Sequence, residues 1–250
     1  MSPKMRIDIV TIFPDFVNQA LSFSIIGRAI ANGLVQAQAH DLRAYTHDPH
    51  RTVDDTPYGG GPGMVMKPEP FFEAVAAVAD PDQAHVVLLT PQGRTFDQGQ
   101  ARALAHKSQL VLLCGHYEGV DERVATLAHE QISLGDFVLT GAELPALVMT
   151  DAVVRLLPGV LGNEASPLDE SFSGAGAAGL LEYPQYTRPP DYRGLWVPEV
   201  LTGGHHEQVR RWRRKEALRR TLARRPDLLA TAELTEEDWR LLRELQAAED

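Results

Sequence analysis

The chain has 250 residues, 44% of them hydrophobic and 23% charged, which suffices for one large domain or a main domain with a smaller companion. No apolar run approaches the ~18 residues of a membrane span, and Cys114, the single cysteine, excludes an intrachain disulfide and a thiolate metal cage. The net charge of −10 argues against a molecule coated in basic surface, yet nine of the 24 Lys and Arg residues lie within 205–225, opposed there only by Glu207 and Glu216.

The start, MSPKMRIDIVTIF, has a weakly basic prefix without a small-residue cleavage site, and reads as a first strand, Ile7–Phe13, not a signal peptide. A soluble cytoplasmic protein is the expectation. A helix near Phe16–Ala31 and a strand over Val35–Tyr45 follow. "THDPH" (Thr46–His50) offers His47, Asp48 and His50 to a metal but lacks a third well-spaced ligand, so a structural or RNA-contacting loop is preferred. "YGGGPGM" (Tyr58–Met64) follows a polar loop instead of a buried strand, and reads as a tight turn more than a phosphate cradle. Next come a helix at Pro70–Ala79, a strand at Val86–Thr90, a helix at Gln98–Lys107 and a strand at Leu110–Cys114. A helix at Val120–His129, a short strand at Phe137–Thr140 and a helix at Pro145–Leu156 complete this part. The runs "HVVLLT" and "LVLLC" are continuously apolar, as strands covered on both faces must be, and predict an α/β domain with a largely parallel sheet.

From Pro158 to about Gly179 the chain is rich in Gly, Ala and Ser, without a sustained apolar period, and reads as a flexible linker. An irregular Pro/Tyr stretch, "LEYPQYTRPPDYRGLWVP", leads to the arginine-rich helix. Val209, Trp212, Leu218 and Leu222 fall on one of its faces and leave arginines on the others. A last helix starts at Thr235, whose hydroxyl and Asp238 three residues on can cap the first turn.

Ligands of parallel α/β sheets bind outside the carboxyl ends of the strands. Three loops occupy such positions: "TPQGR" (Thr90–Arg94), "CGHYEG" (Cys114–Gly119) and "SLGDFVLTGAELPA" (Ser133–Ala146). No G-x-G-x-x-G follows a strand and no G-x-x-x-x-G-K-[ST] is present, which disfavours dinucleotides and P-loop nucleotides. A thiol-hydrolase arrangement of Cys114, His116 and Glu118 is disfavoured, because neighbours on one strand end rarely attain triad geometry. Arg155, on the apolar segment "LVMTDAVVRLLPG", is either paired with Asp151 at i, i+4 or aimed at an anionic ligand. Asp169 and Glu170 in the linker would by themselves be two solvated acids.

Taken together, "THDPHRTVDDTPYGGGPGM", "PQGR", "CGHYEGVDERV", "GDFVLTGAELPA", "PGVLGNEAS", "YPQYTRP" and "RRWRRKEALRRT" resemble the bacterial tRNA (guanine-N1)-methyltransferases, members of the SPOUT class of knotted methyltransferases. The resemblance covers nearly the whole chain. It implies a deep trefoil knot in a parallel-sheet domain (residues 1–160), a linker (161–179) and a small, mainly helical tRNA-binding domain (180–250). It implies S-adenosylmethionine held by Thr90, Pro91, Gln92 and Gly93, by Gly115, Tyr117, Glu118 and Gly119, and by Leu134, Gly135, Asp136, Phe137, Val138, Leu139, Gly141 and Pro145. The active species would be a homodimer with sites shared between chains. The product would be 1-methylguanosine directly 3′ of the anticodon.

Guanine N1 carries a proton, so a carboxylate must remove it as the methyl arrives, and a cation beside O6 would stabilise the charge created. The resemblance assigns the cation to Arg155. The family usually reads Asp-Ser-Phe for the base; here Glu170 holds that register, one methylene longer, and Asp169 is the alternative. His116 stands where relatives commonly have arginine, and Ala142 replaces a second glycine. Arg28, His47, His50, Arg51, Arg210, Arg213, Arg214, Lys215 and Arg220 would grip the anticodon stem-loop. Mg²⁺ could assist through the RNA or the base, although the sequence shows no ligand set for it. A non-catalytic RNA-binding module on the same fold is the alternative reading.

Overall fold

The computed structural model describes residues 5–162, 170–173 and 179–247. Asp169 lies outside the described residues, as does most of the linker. The chain forms two units, Met1–Glu164 and Ala165–Asp250.

The first unit runs β1 (Met5–Thr11), α1 (Pro14–Leu21), α2 (Ser24–Ala31), β2 (Val35–Asp41), a 3₁₀ turn (Leu42–Tyr45), β3 (Asp54–Asp55), β4 (Val65–Met66) and α3 (Pro68–Val78). It continues through β5 (Ala84–Thr95), α4 (Gln98–Ala105), β6 (Gln109–Cys114), a 3₁₀ segment (Glu122–Leu127), β7 (Glu130–Ser133) and α5 (Glu143–Val154). Five strands make a sheet in the order β2-β1-β6-β5-β7, with every pair parallel. Side chains alternate across a strand, so Leu110, Leu112 and Cys114 of β6 enter one core with α1, α2, α4 and α5. Val111 and Leu113 enter the opposite core with Phe71, Ala74 and Val78 of α3. All six residues of β6 are buried. Helices on both faces are why its sequence is apolar without interruption.

Four expectations need correction. The helix expected over Phe16–Ala31 is two helices, because Ser24 adopts φ 57° and the chain turns back so closely that a Cβ on Gly27 would strike the Ser22 carbonyl. The strand expected to Tyr45 ends at Asp41, whose side chain accepts from the Arg43 N–H and starts a 3₁₀ turn. The expected helix at Val120–His129 is the 3₁₀ segment Glu122–Leu127, capped by Asp121. Phe137–Thr140 is not a strand: Phe137, Val138 and Leu139 are exposed in a loop that joins no ladder. The edge strand is instead β7, in which Ile132 is the only strong apolar residue.

The second unit contains β8 (Asp191–Tyr192), β9 (Leu195–Trp196), α6 (Glu199–Thr202), α7 (His206–Arg224), α8 (Pro226–Leu229) and α9 (Glu236–Gln246). Leu218 of α7 packs with Leu241, Leu242 and Leu245 of α9, joined by Leu180, Leu222, Leu229 and Leu234. Thr235 and Asp238 form a reciprocal cap at the start of α9. Burial opposes ionisation of Asp238, but the Arg214 guanidinium and the Thr235 backbone N–H and hydroxyl outweigh it and hold the carboxyl at about 2.

Candidate active site

Three loops at the carboxyl end of the sheet converge, and each is shaped by a neighbouring strand. Along β5, Ile132 of β7 stands opposite Leu89 and again opposite Arg94, so the intervening residues Thr90–Gly93 leave the ladder. Gly93 makes this possible. A Cβ there would meet the backbone nitrogen of Ile132 and lie 2.5 Å from Gln131 C and 2.6 Å from Gln131 O.

The second loop follows β6. It is tied to β4 and its flanking chain by Glu118 N–H donating to Met64 O (3.1 Å), Met66 N–H to Gly119 O (2.9 Å) and Asp121 N–H to Met66 O (2.9 Å). Tyr117 within it has φ 59°, a left-handed conformation that non-glycine residues adopt only under local constraint. The third loop leaves β7 through Gly135 at φ 144° and rejoins the second, where Ala142 N–H donates to Gly115 O at 3.0 Å.

Between them lies a cavity of about 340 Å³. Thr90, Pro91, Gln92, Gly115, Tyr117, Glu118, Gly119, Leu134, Gly135, Phe137, Val138, Leu139, Gly141 and Pro145 all line it. Gly93 and Asp136 do not: Gly93 is turned to the backbone of β7, and Asp136 falls outside the lining. His116, Ser133, Thr140 and Ala142, which lie in the loops singled out by sequence but outside the expected donor contacts, line it as well, as do Val120 and Glu122 from beyond those loops. Glu122 could have been found only by knowing that the 3₁₀ segment folds back over the loop. Glu118 and Glu122 are among its lining residues, and no Lys or Arg is among those of the described residues that line it. Such a site suits a ligand with positive charge and repels a polyphosphate.

Beneath the cavity wall, Thr11 Oγ1 donates to Glu143 Oε1 at 2.7 Å, both residues buried. Glu143 Oε2 lies 3.8 Å from His116 Nδ1, and the His116 ring stands edge-on to Phe13 and Tyr117 at 5.3 and 5.1 Å. Burial, reinforced by the Glu143 charge, pushes the Cys114 thiol well above its ordinary range. Its Sγ donates to Ala142 O at 3.5 Å. A thiol held neutral in the core is no nucleophile.

Arg155 caps α5, its N–H donating to Asp151 O at 3.1 Å. Glu170, in the second unit, opens a turn in which its carbonyl accepts from Ser173 N–H at 3.1 Å. His47 Nε2 is 2.8 Å from Glu73. Asp48 accepts from Thr52 Oγ1 and N–H and from His50 N–H, which holds its carboxyl below the usual range and ties up the "THDPH" loop internally. Arg28, His50 and Arg51 are exposed.

The arginine-rich helix is not a bare cationic face. Arg210 pairs with Glu207 (2.7 Å) and Glu237 (3.2 Å), Arg214 with Asp238 (2.6 Å), and Arg211 and Lys215 with Glu244 (2.9 and 2.8 Å). Arg219 pairs with Glu216 and Arg225 with Asp227. Arg220 reaches the Glu182 carbonyl at 3.5 Å. The acids on α9 are remote in sequence, so the local tally of Glu207 and Glu216 understates the compensation.

Comparison with known proteins agrees with this geometry. Residues 5–231 match the family described as tRNA (guanine-1)-methyltransferase TrmD. The tRNA (guanine-N(1)-)-methyltransferase of Lacticaseibacillus paracasei is 54% identical over 98% of this chain and 95% of its own. That of Dictyoglomus turgidum is 54% identical over 97% of both chains, and that of Heliobacterium modesticaldum 55% identical over 96% of this chain and 90% of its own.

Proposed function

Because the chain belongs to the tRNA (guanine-1)-methyltransferase family, we propose that it transfers a methyl group from S-adenosylmethionine to N1 of the tRNA guanosine directly 3′ of the anticodon. The observation that carries the donor is the three-loop cavity, with two acidic residues and no cation among the described residues that line it. Its volume lies in the range of small-molecule sites. S-adenosylmethionine, when bound, supplies an electrophilic methyl on a positively charged sulfur. Glu118 and Glu122 would face positive charge on the donor, and the peptide groups of Thr90–Gln92 and Gly115 would take the adenine edge. Phe137 and Leu139 supply apolar walls.

The remaining task is to make N1 a nucleophile. Glu170 would accept the N1 proton as the bond to the methyl carbon forms, a role for which general bases typically contribute 10²–10⁴-fold. Arg155 would hold O6, where negative charge accumulates. Asp169 is the competing base. A second chain belongs to this reading, with the linker and C-terminal unit of one protomer completing the partner's site. Exposed Leu144 and Val148, one turn apart on α5, and exposed Phe13, Phe16 and Phe23 on the first unit support an apolar interface. A trefoil knot also belongs to it, supported by the family and by the out-of-order sheet in which β7 returns beside β5. No helix among the described residues is long and apolar enough to cross a membrane, in keeping with a cytoplasmic site of action. A non-catalytic RNA-binding module is not favoured, since the named relatives are methyltransferases along nearly their whole length.

The test pairs transfer with donor binding. Glu170→Ala and Arg155→Ala should each lose methyl incorporation into tRNA while calorimetry finds S-adenosylmethionine affinity within a few-fold of the parent. Transfer at the parental rate in both variants would overturn their roles, and greater loss in Asp169→Ala than in Glu170→Ala would move the base by one residue. A parent that binds no donor would overturn the cavity assignment.

A further inference from the structure

Ion pairing leaves three cations of α7, Arg213, Arg220 and Arg224, without a carboxylate partner among the described residues, and one of them lines a cavity. Arg213 has no carboxylate partner among the described residues, nor does Arg188 in the segment before β8. Both line a second cavity, of about 430 Å³, wholly inside the second unit. Tyr183, Gln185, Tyr186 and Thr187 contribute to its wall, and no Asp or Glu is among the described residues that line it. The Arg213 guanidinium lies 4.8 Å from the centre of the Tyr183 ring, a cation–π geometry. Tyr186 is 48% exposed, and its ring centre stands 6.4 Å from that of Trp212. On a chain of net charge −10, this is a concave site that combines aromatic faces, two unneutralised guanidinium groups and amide and hydroxyl hydrogen-bonding groups.

We propose that this cavity is a second RNA subsite, which takes one unpaired nucleotide of the substrate with its base against Tyr186 and Tyr183 and its phosphate on Arg188 and Arg213. The inference rests on the reading that the chain acts on tRNA, and deepens it by naming where a single-stranded nucleotide is held apart from the methylated base. A duplex would present only its backbone to a surface. Unstacked bases are what aromatic and guanidinium planes recognise. Two guanidinium groups on a wall whose described residues include no acid favour a phosphate-bearing ligand over a basic peptide.

The experiment uses the full chain with tRNA transcript, and compares Tyr186→Ala, Tyr186→Phe, Arg213→Ala and Arg211→Ala. Arg211 is the internal control: it sits two residues from Arg213 on the same helix, but its charge is held by Glu244. Tyr186→Ala should weaken tRNA binding roughly tenfold, the loss of one stacked base, and Tyr186→Phe should restore it. Arg213→Ala should reduce the slope of log K against log salt by about 1, whereas Arg211→Ala should leave it near the parent. The KM for S-adenosylmethionine and kcat at saturating tRNA should not move. With 4-thiouridine placed at unpaired positions of the tRNA, irradiation should attach RNA to the peptide spanning Tyr183–Arg188. Should the parent methylate tRNA while Tyr186→Ala and Arg213→Ala match its affinity and salt slope, and the crosslinks fall elsewhere, the subsite is wrong and the methyltransferase reading stands. Should the parent neither bind nor methylate tRNA, both fall.

Discussion

Replacing Gly93 by alanine tests the geometry on which the donor cavity depends. The added Cβ would lie 2.5 Å from Gln131 C and 2.6 Å from Gln131 O, and would also meet Ile132 N. These are backbone atoms, so no side chain can swing aside. Reaching an ordinary 3.4 Å separation requires β5 and β7 to part locally by about 1 Å. A hydrogen bond of ~2.9 Å stretched by that amount is lost. Overpacking of this kind costs about 1–3 kcal/mol, and each lost ladder bond adds about 1 kcal/mol. A total near 3 kcal/mol is a large share of the ~5–15 kcal/mol that stabilises a typical domain. For a unit of this size it lowers Tm by roughly 6–12 °C. Because Gln131, Ile132, Ser133 and Leu134 also line the cavity, the same displacement should weaken S-adenosylmethionine at least tenfold by calorimetry, measured well below the lowered Tm. Gly162→Ala, where nothing lies within 4 Å of the added carbon, is the control. Parental Tm and parental donor affinity in Gly93→Ala would refute the claim that this glycine exists to let two strands cross closely.

Other outcomes follow from the same structure. Cys114→Ala should retain methyl transfer, since the thiol is buried and held neutral; loss of transfer with an unchanged unfolding midpoint would show that the thiol does chemistry. Thr11→Val removes the donor to buried Glu143 and should cost about 1–3 kcal/mol in urea unfolding, with no change expected if the carboxylate were already satisfied elsewhere. Asp238 titrates at about 2 in the folded chain instead of 3.8, so its contribution is complete above about pH 4 and is lost as pH falls toward 2. The difference corresponds to roughly 2 kcal/mol. Asp238→Asn should therefore lower the unfolding midpoint of the second unit at pH 7 and flatten its acid limb, and an acid limb identical to the parent's would contradict the assignment.

What the sequence made legible was whatever depends on near neighbours. Buried strands β5 and β6 announce themselves because helices cover both faces and every position must be apolar. The Thr235 cap of α9 is readable because its partner, Asp238, is three residues away. The two loops that follow these strands could be located for the same reason, and their glycines marked close approach. The failures are tertiary. β7 exists because β5 supplies a partner for "EQIS", not because that segment has a strand pattern. "FVLT" has such a pattern, yet its apolar side chains are exposed in the cavity loop. Gly93 looked like a ligand contact because glycine permits both ligand and backbone to approach; only the position of Gln131 distinguishes the two. His116 and Glu143 come together across 27 residues, and Thr11 on a third element bonds the same carboxylate, an arrangement that no spacing encodes.

The same limitation governs charge. Counted along the chain, residues 205–225 hold nine cations, and if each neutralised a phosphate the salt slope of tRNA binding would be about −6 to −8. Folding sets six of them against carboxylates. Apart from Arg214 with buried Asp238, such surface pairs add little stability, typically 0–1 kcal/mol each, so their larger consequence is electrostatic: they cancel most of the positive field of α7 and leave it at Arg213, Arg220 and Arg224. Glu244 is the most economical place to test this, because it alone occupies both Arg211 and Lys215, and the Lys215 ammonium, with Arg211 beside it, holds its carboxyl below the usual range. Glu244→Gln would release two cations on the surface at a small cost in stability. If α7 faces RNA, the variant should bind tRNA more tightly than the parent at low salt, with a slope steeper by about 1–2. Equal affinity and equal slope would mean that RNA does not approach this face of the helix, and that the pairs with α9 serve only to hold the two helices together.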